Sequence, residues 1–138
     1  MQKSPFARRH APLVLKVASA VVVVDAVSKA WALQALVPAR WPGPVDGPVQ
    51  AVFDLLLIAT VAALAREITS APWAVVAGLA AGAATGDLID RLARPPGPLR
   101  GALVHWIDAP PLSAFNLADV AYVGATVLAL SLRSPRPA

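Results

Sequence analysis

The chain has 138 residues, a formal net charge of +4 and no cysteine, with 57% hydrophobic and 14% charged residues. That balance excludes an ordinary water-soluble domain, and the missing thiols exclude disulfide frameworks, cysteine nucleophiles and cysteine-based metal sites. A pI near 10.4 would suit nucleic acid, but the basic residues stand singly between apolar runs, without a stripe or an aromatic-interleaved patch, so membrane topology accounts for them better.

Four apolar segments are predicted as transmembrane helices, over about residues 12–37, 49–65, 71–92 and 113–132, each near the ~20 residues that cross hydrocarbon. Lys3, Arg8 and Arg9 precede the first, and Ala18-Ser19-Ala20 imitates a signal-cleavage site. The apolar lead from Leu13 to Val17 is short and broken by Lys16, so this segment is expected to stay as a first span. It carries Asp25 and Lys29. The connection Pro38 to Pro48 holds four prolines and two glycines, which should break any helix. The second segment carries Asp54 and ends in a tight connection around Arg66 to Ser70. In the third, Gly78, Gly82 and Gly86 recur every fourth residue and form one small-residue ridge for close helix packing; Asp90 is the next position on it. A second proline-rich connection, Arg94 to Pro111, leads to the fourth segment with Asn116 and Asp119.

An even number of spans places both termini on one side, with Lys3, Arg8, Arg9, Arg66, Arg133 and Arg136 there and Arg40, Arg94 and Arg100 opposite. The positive-inside rule then predicts cytoplasmic N and C termini. The expected architecture is an all-α, integral membrane four-helix bundle forming a single domain over 1–138. Trp31, Trp41 and Trp106 should sit near the outer interface and Trp73 near the inner one.

Alternating helix direction brings Asp25, Asp54, Asp87, Asp90 and Asp119 to the outer half of the membrane. A charged residue at mid-bilayer costs about 2.5–3.5 kcal/mol even on lenient scales, so these acids require a reason. Asp25 to Lys29 and Asp87 to Arg91 are acid-before-base pairs at i, i+4, and helix salt bridging is the larger part of their expected role. It leaves Asp54, Asp90 and Asp119 unexplained. Asn116 and Asp119 share a helix face, and either Ser113 or Asn116 suits the N-cap of the fourth helix.

The segments Asp25-Ala-Val-Ser-Lys29, Gly86-Asp87-Leu-Ile-Asp90-Arg91 and Phe115-Asn116-Leu-Ala-Asp119 resemble the D-x-x-x-K, G-N-x-x-D-R and F-N-x-A-D motifs of bacterial lipoprotein signal peptidase, or signal peptidase II. The resemblance covers almost the whole chain in order. It implies a four-helix aspartic protease of the bacterial cytoplasmic (inner) membrane that cleaves signal peptides from diacylglyceryl-modified prolipoproteins at the outer face. Of the family's two catalytic aspartates, one maps onto Asp119. The other, in a V-x-D-F-type segment, maps onto His105 within Gly101-Ala-Leu-Val-His105-Trp106-Ile107. Asp87 stands where the family has asparagine, and Pro48-Val-Gln-Ala-Val-Phe53 replaces an N-x-G-A-A-F segment.

An aspartyl dyad works because two close carboxylates share one proton, holding acid and base together. An imidazole at His105 would instead take the proton and pair with Asp119. Asp87 or Asp108 are the two conceivable replacements for the missing carboxylate, although Asp87 is matched by Arg91 and Asp108 lies in a solvated loop. His105, beside Trp106, is more ordinarily an amphipathic interfacial anchor. No metal site and no cofactor are expected. The leading expectation is an outward cavity lined by Asp25, Asp90, Arg91, Asn116 and Asp119, with Lys29 in support, in a non-catalytic module. Its partners would be membrane lipid and a lipid-modified peptide or another membrane protein. An active prolipoprotein peptidase is the alternative. An ion or solute pathway is disfavoured because the acids gather at one end.

Overall fold

The computed structural model describes residues 9–41 and 47–133. Lys3, Arg8 and Arg136, which enter the topology expectation, lie outside the described residues, as do the side chains of Arg40 and Trp41. Helix α1 runs Ala11–Ala35, strand β1 Ala39–Trp41, α2 Gly47–Leu64 followed by a 3-10 turn Ala65–Glu67, α3 Ala71–Ala93, β2 Leu103–His105 and α4 Leu117–Arg133. Prolines at the first turn open α1 and α3, where a missing backbone N–H costs nothing. Pro38 ends α1 because it disfavours helical geometry in the residue before it.

Among the described residues three stretches, Ala11–Ala35, Gly47–Glu67 and Ala71–Ala93, are long and apolar enough to cross a membrane. The predicted fourth segment begins four residues late, and α4 has 17 residues. Residues 113–116 do not join it because Phe115 is engaged in backbone hydrogen bonds with Trp106 and Ile107, and Asn116 caps the helix. A further departure from the all-α expectation is a two-stranded antiparallel sheet, β1 with β2, pairing Ala39 with His105 and Trp41 with Leu103. Proline-rich connections masked these short strands in the sequence. Trp31 and Trp106 meet edge to face, ring centroids 5.7 Å apart, at the end that carries the sheet.

α3 is central, packing against α1, α2 and α4. The surface is inverted relative to a soluble protein: Leu15, Val27, Leu56, Val123 and Leu130 face outward, while acids and bases lie inside, as a lipid solvent requires. The glycine ridge lies against α1 running in the same direction. A Cβ at Gly78 would sit 2.6 Å from Val17 Cβ, one at Gly82 2.7 Å from Val21 Cβ and 2.8 Å from the Ala18 carbonyl, and one at Gly86 2.7 Å from Asp25 Oδ2. Backbone contact this close is how apolar helices associate when lipid competes equally for larger side chains.

Gly82→Val is therefore expected to lower unfolding free energy by about 1–3 kcal/mol through overpacking. Gly124→Ala, whose added carbon would lie 3.9 Å from Leu79 Cδ1, should change it by less than about 0.5 kcal/mol. Reversible unfolding in bicelles measures both.

Candidate functional site: a buried carboxylate cluster

The site is assembled from the C-terminal halves of α1 and α3, the first two turns of α2, strand β2 and the first turns of α4. Lys29 and Asp25 lie one turn apart on α1, and their 2.6 Å ion pair follows the i, i+4 spacing. The pair is not isolated. Lys29 Nζ also lies 2.8 Å from Asp90 Oδ2 and 3.8 Å from Asp87 Oδ1, both on α3. Asp90 Oδ1 in turn takes the Arg94 Nε–H at 2.7 Å, and its Oδ2 accepts the Val104 backbone N–H at 3.3 Å.

Asp25 carries the cluster into α4: its Oδ1 accepts the Ala118 N–H at 3.1 Å, satisfying one of the orphan donors of the first helical turn. Asn116 caps the same turn. Its N–H donates to Asp119 Oδ2 at 2.9 Å while its side-chain oxygen accepts the Asp119 N–H at 3.0 Å, a reciprocal capping box. Asn116 Nδ2 also donates to the Val104 carbonyl at 3.2 Å. The cap thus accounts for both Asn116 and Asp119 locally, and ties α4 to β2.

That tie delivers His105. Its Nε2 stands 3.4 Å from Asp119 Oδ2, a separation suited to a long ion pair rather than a short hydrogen bond. His105 is buried, so it is not the exposed interfacial anchor that its neighbour Trp106 suggested; β2 turns it inward. The Asp119 side chain is 37% exposed and opens onto a cavity of about 410 Å³ lined by Leu112, Ser113, Phe115, Val120 and Val123.

The other expected lining residues do not face open space. Asp25, Lys29, Asp90, Arg91 and Asn116 are 0–2% exposed, so they form a closed polar core behind Asp119 instead of a cavity wall. Among the described residues no ion pair joins Asp87 to Arg91, although the i, i+4 spacing suggests one. Arg91 Nη1 donates to the Gly101 carbonyl at 2.9 Å and Nη2 to Gln50 Oε1 at 2.5 Å, because the guanidinium turns toward the loop after α3. There Gly101 is required: a Cβ would run into the carbonyl oxygens of Asp90, Arg94 and Arg91. Asp87 lies 3.8 Å from Lys29. Asp108 is exposed, and no ion pair joins it to the cluster among the described residues.

Two participants were missed in the sequence. Gln50, within the altered Pro48 to Phe53 segment, supplies a side-chain amide oxygen to Arg91. Tyr122 OH donates to Asp54 Oδ1 at 3.2 Å, pairing the otherwise unexplained acid of α2 with α4. Tyr122 follows Asp119 by one helical turn, the single signal that could have marked it.

No protein-family model matches the sequence. Curated relatives do. The chain is 43% identical over 88 residues to a lipoprotein signal peptidase of Streptomyces coelicolor, covering 62% of this chain and 43% of that protein. It is 34% identical over 146 aligned positions to one from Mycobacterium avium, covering 90% of this chain and 80% of that protein. One from Mycolicibacterium smegmatis is 33% identical, with 91% of this chain and 62% of that protein covered. The chain thus spans well under two thirds of the Streptomyces relative. Among solved structures it is similar to two described as bacterial membrane enzymes determined by the in meso method. Their TM-scores are 0.73 and 0.74 at 16% and 17% identity, covering 91% and 89% of this chain and 93% and 94% of those chains. At that identity the likeness concerns the fold.

Replacing Lys29 by methionine should strand Asp25 and Asp90 together without their shared cation, at a cost of about 3–5 kcal/mol. Thermal unfolding in detergent should show that loss, and the Lys29→Met, Asp25→Asn double variant should recover part of it.

Proposed function

This chain belongs to the lipoprotein signal peptidase family, and from that premise we propose that it is a divergent member whose aspartyl dyad has been replaced by an Asp119–His105 pair. In this reading it binds a lipid-modified peptide, or another membrane protein, without cleaving it. The domain is a single four-span unit of the bacterial inner membrane, with α4 as the fourth span and both termini cytoplasmic. The cavity beside Asp119 then opens on the outer side.

The observation that carries the reading is the 3.4 Å contact between His105 Nε2 and Asp119 Oδ2. Peptide hydrolysis by a dyad needs one carboxylate to draw a proton from water while its neighbour, already protonated, donates to the carbonyl oxygen. Here the group against Asp119 is an imidazole, and the same Oδ2 is also held by the Asn116 backbone N–H. Both partners meet one oxygen, so Asp119 is fixed as a hydrogen-bonded cap and anchor. Its remaining exposure toward Leu112, Phe115 and Val123 suits the recognition of a polar backbone group at the edge of an apolar chain.

A second reading rests on Asp87, a carboxylate 2% exposed in the same polar core, 3.8 Å from Lys29. With Asp87 as the second carboxylate, the chain would be an active peptidase of the kind its relatives are named for.

Reconstitution with a diacylglyceryl-modified lipobox precursor separates the two. The chain is expected to bind the precursor and leave it intact, and His105→Asp is expected to raise cleavage by roughly 100-fold or more by restoring the paired carboxylates. Cleavage by the unaltered chain that disappears in both Asp119→Asn and Asp87→Asn would overturn the non-catalytic reading in favour of the second.

A further inference from the structure

Helices α2 and α4 both pack along α3 yet scarcely touch each other. Both begin at the end of the molecule that carries β1 and β2, so a lateral seam runs between them with α3 as its floor. Among the described residues one side-chain hydrogen bond crosses this seam, from Tyr122 OH to Asp54 Oδ1 at 3.2 Å. It lies one helical turn below Asp119, about 4.5 Å deeper by helix rise.

The seam contains a carboxylate oxygen left without a donor: Asp54 is 5% exposed, its Oδ1 is held by Tyr122, and no described donor reaches its Oδ2. A buried acceptor without a donor is costly in an apolar medium. Lipid tails, which cover the outward apolar faces of α2 and α4, carry no donor. An extended polypeptide carries a backbone N–H at nearly every residue, and its own N–H groups are equally costly in hydrocarbon unless something accepts them.

We propose that the Tyr122–Asp54 hydrogen bond is a latch across a lateral opening between α2 and α4, and that an extended peptide segment entering from the membrane displaces it by donating a backbone N–H group to Asp54. The inference rests on the peptide-binding reading above and names the route by which such a peptide reaches Asp119. It assigns Asp54 and Tyr122 as positioning residues that set how wide the seam stands.

Because the chain has no cysteine, spin labels go in cleanly at Leu56→Cys on α2 and Val123→Cys on α4, both outward-facing, in the full chain in lipid nanodiscs. A control pair at Val24→Cys and Ile89→Cys reports α1 against α3. The unaltered protein should give one narrow α2–α4 distance. Tyr122→Phe should add a longer one, raising the open population roughly tenfold, with the control distance unchanged. Asp54→Asn, which keeps an oxygen acceptor for the tyrosine, should stay closed. A synthetic diacylglyceryl-modified lipobox peptide added to the unaltered protein should produce the same longer distance. An α2–α4 distance that stays put in both Tyr122→Phe and Asp54→Leu overturns the latch. A peptide that binds by fluorescence anisotropy while leaving the distance unmoved overturns it equally. Absence of peptide binding, with the variants opening as expected, would instead count against the peptide-binding reading and leave the latch supported.

Discussion

The ammonium of Lys29, shared between Asp25 on its own helix and Asp90 on α3, is the interaction on which the interior is organised. Its two contacts of 2.6 and 2.8 Å are made almost wholly out of solvent, where charges are tolerated only when paired and hydrogen-bonded. Each acid spends its second oxygen elsewhere: Asp90 on Arg94, Asp25 on the Ala118 N–H. One cation therefore fixes α1 against α3 and, through Asp25, sets the depth and orientation of α4. The position of Asp119 follows from that chain of contacts.

This arrangement presupposes the glycine ridge. Only without side chains at Gly78, Gly82 and Gly86 do α1 and α3 approach closely enough for the ion pair to bridge them, and Gly86 leaves the space that the Asp25 carboxylate occupies. Packing and electrostatics are thus two ends of one device. Small residues bring the backbones together along most of the helix length, and the charges meet where the ridge ends. Hydrocarbon surroundings strengthen the pairing, since no water competes for the carboxylates.

Around this frame of contacts, the departures from the family motifs gather in one place. His105 meets Asp119, Asp87 lies 3.8 Å from Lys29, and Gln50 binds Arg91, which stands beside Asp90. Asp54 and Tyr122 lie one turn deeper, on the helices that flank the same core. The Lys29 cluster and the Asn116 cap fix the positions of Asp25, Asp90 and Asp119, because both satisfy charges and backbone groups that lipid cannot.

Much of this was legible beforehand. The three long apolar helices, the Asp25–Lys29 pair, the glycine ridge, the choice of Ser113 or Asn116 as the cap and the motif resemblance all depend on spacing within one helix or on local composition, which a linear sequence records directly. What it could not record were contacts whose partners lie far apart in the chain. The short β1–β2 pairing was hidden among prolines, and with it the turning of His105 inward. The start of α4 moved because Phe115 pairs with the β2 region. Arg91 bonds to Gly101 and Gln50, and Tyr122 to Asp54 sixty-eight residues away. Sequence alone determined that this chain belongs in a bilayer, with its acids at one end of its helices, because burial cost and helical period act residue by residue. Which acid meets which base was decided by tertiary packing, because in a low-dielectric interior each charge takes the partner whose geometry satisfies it, wherever along the chain that partner lies.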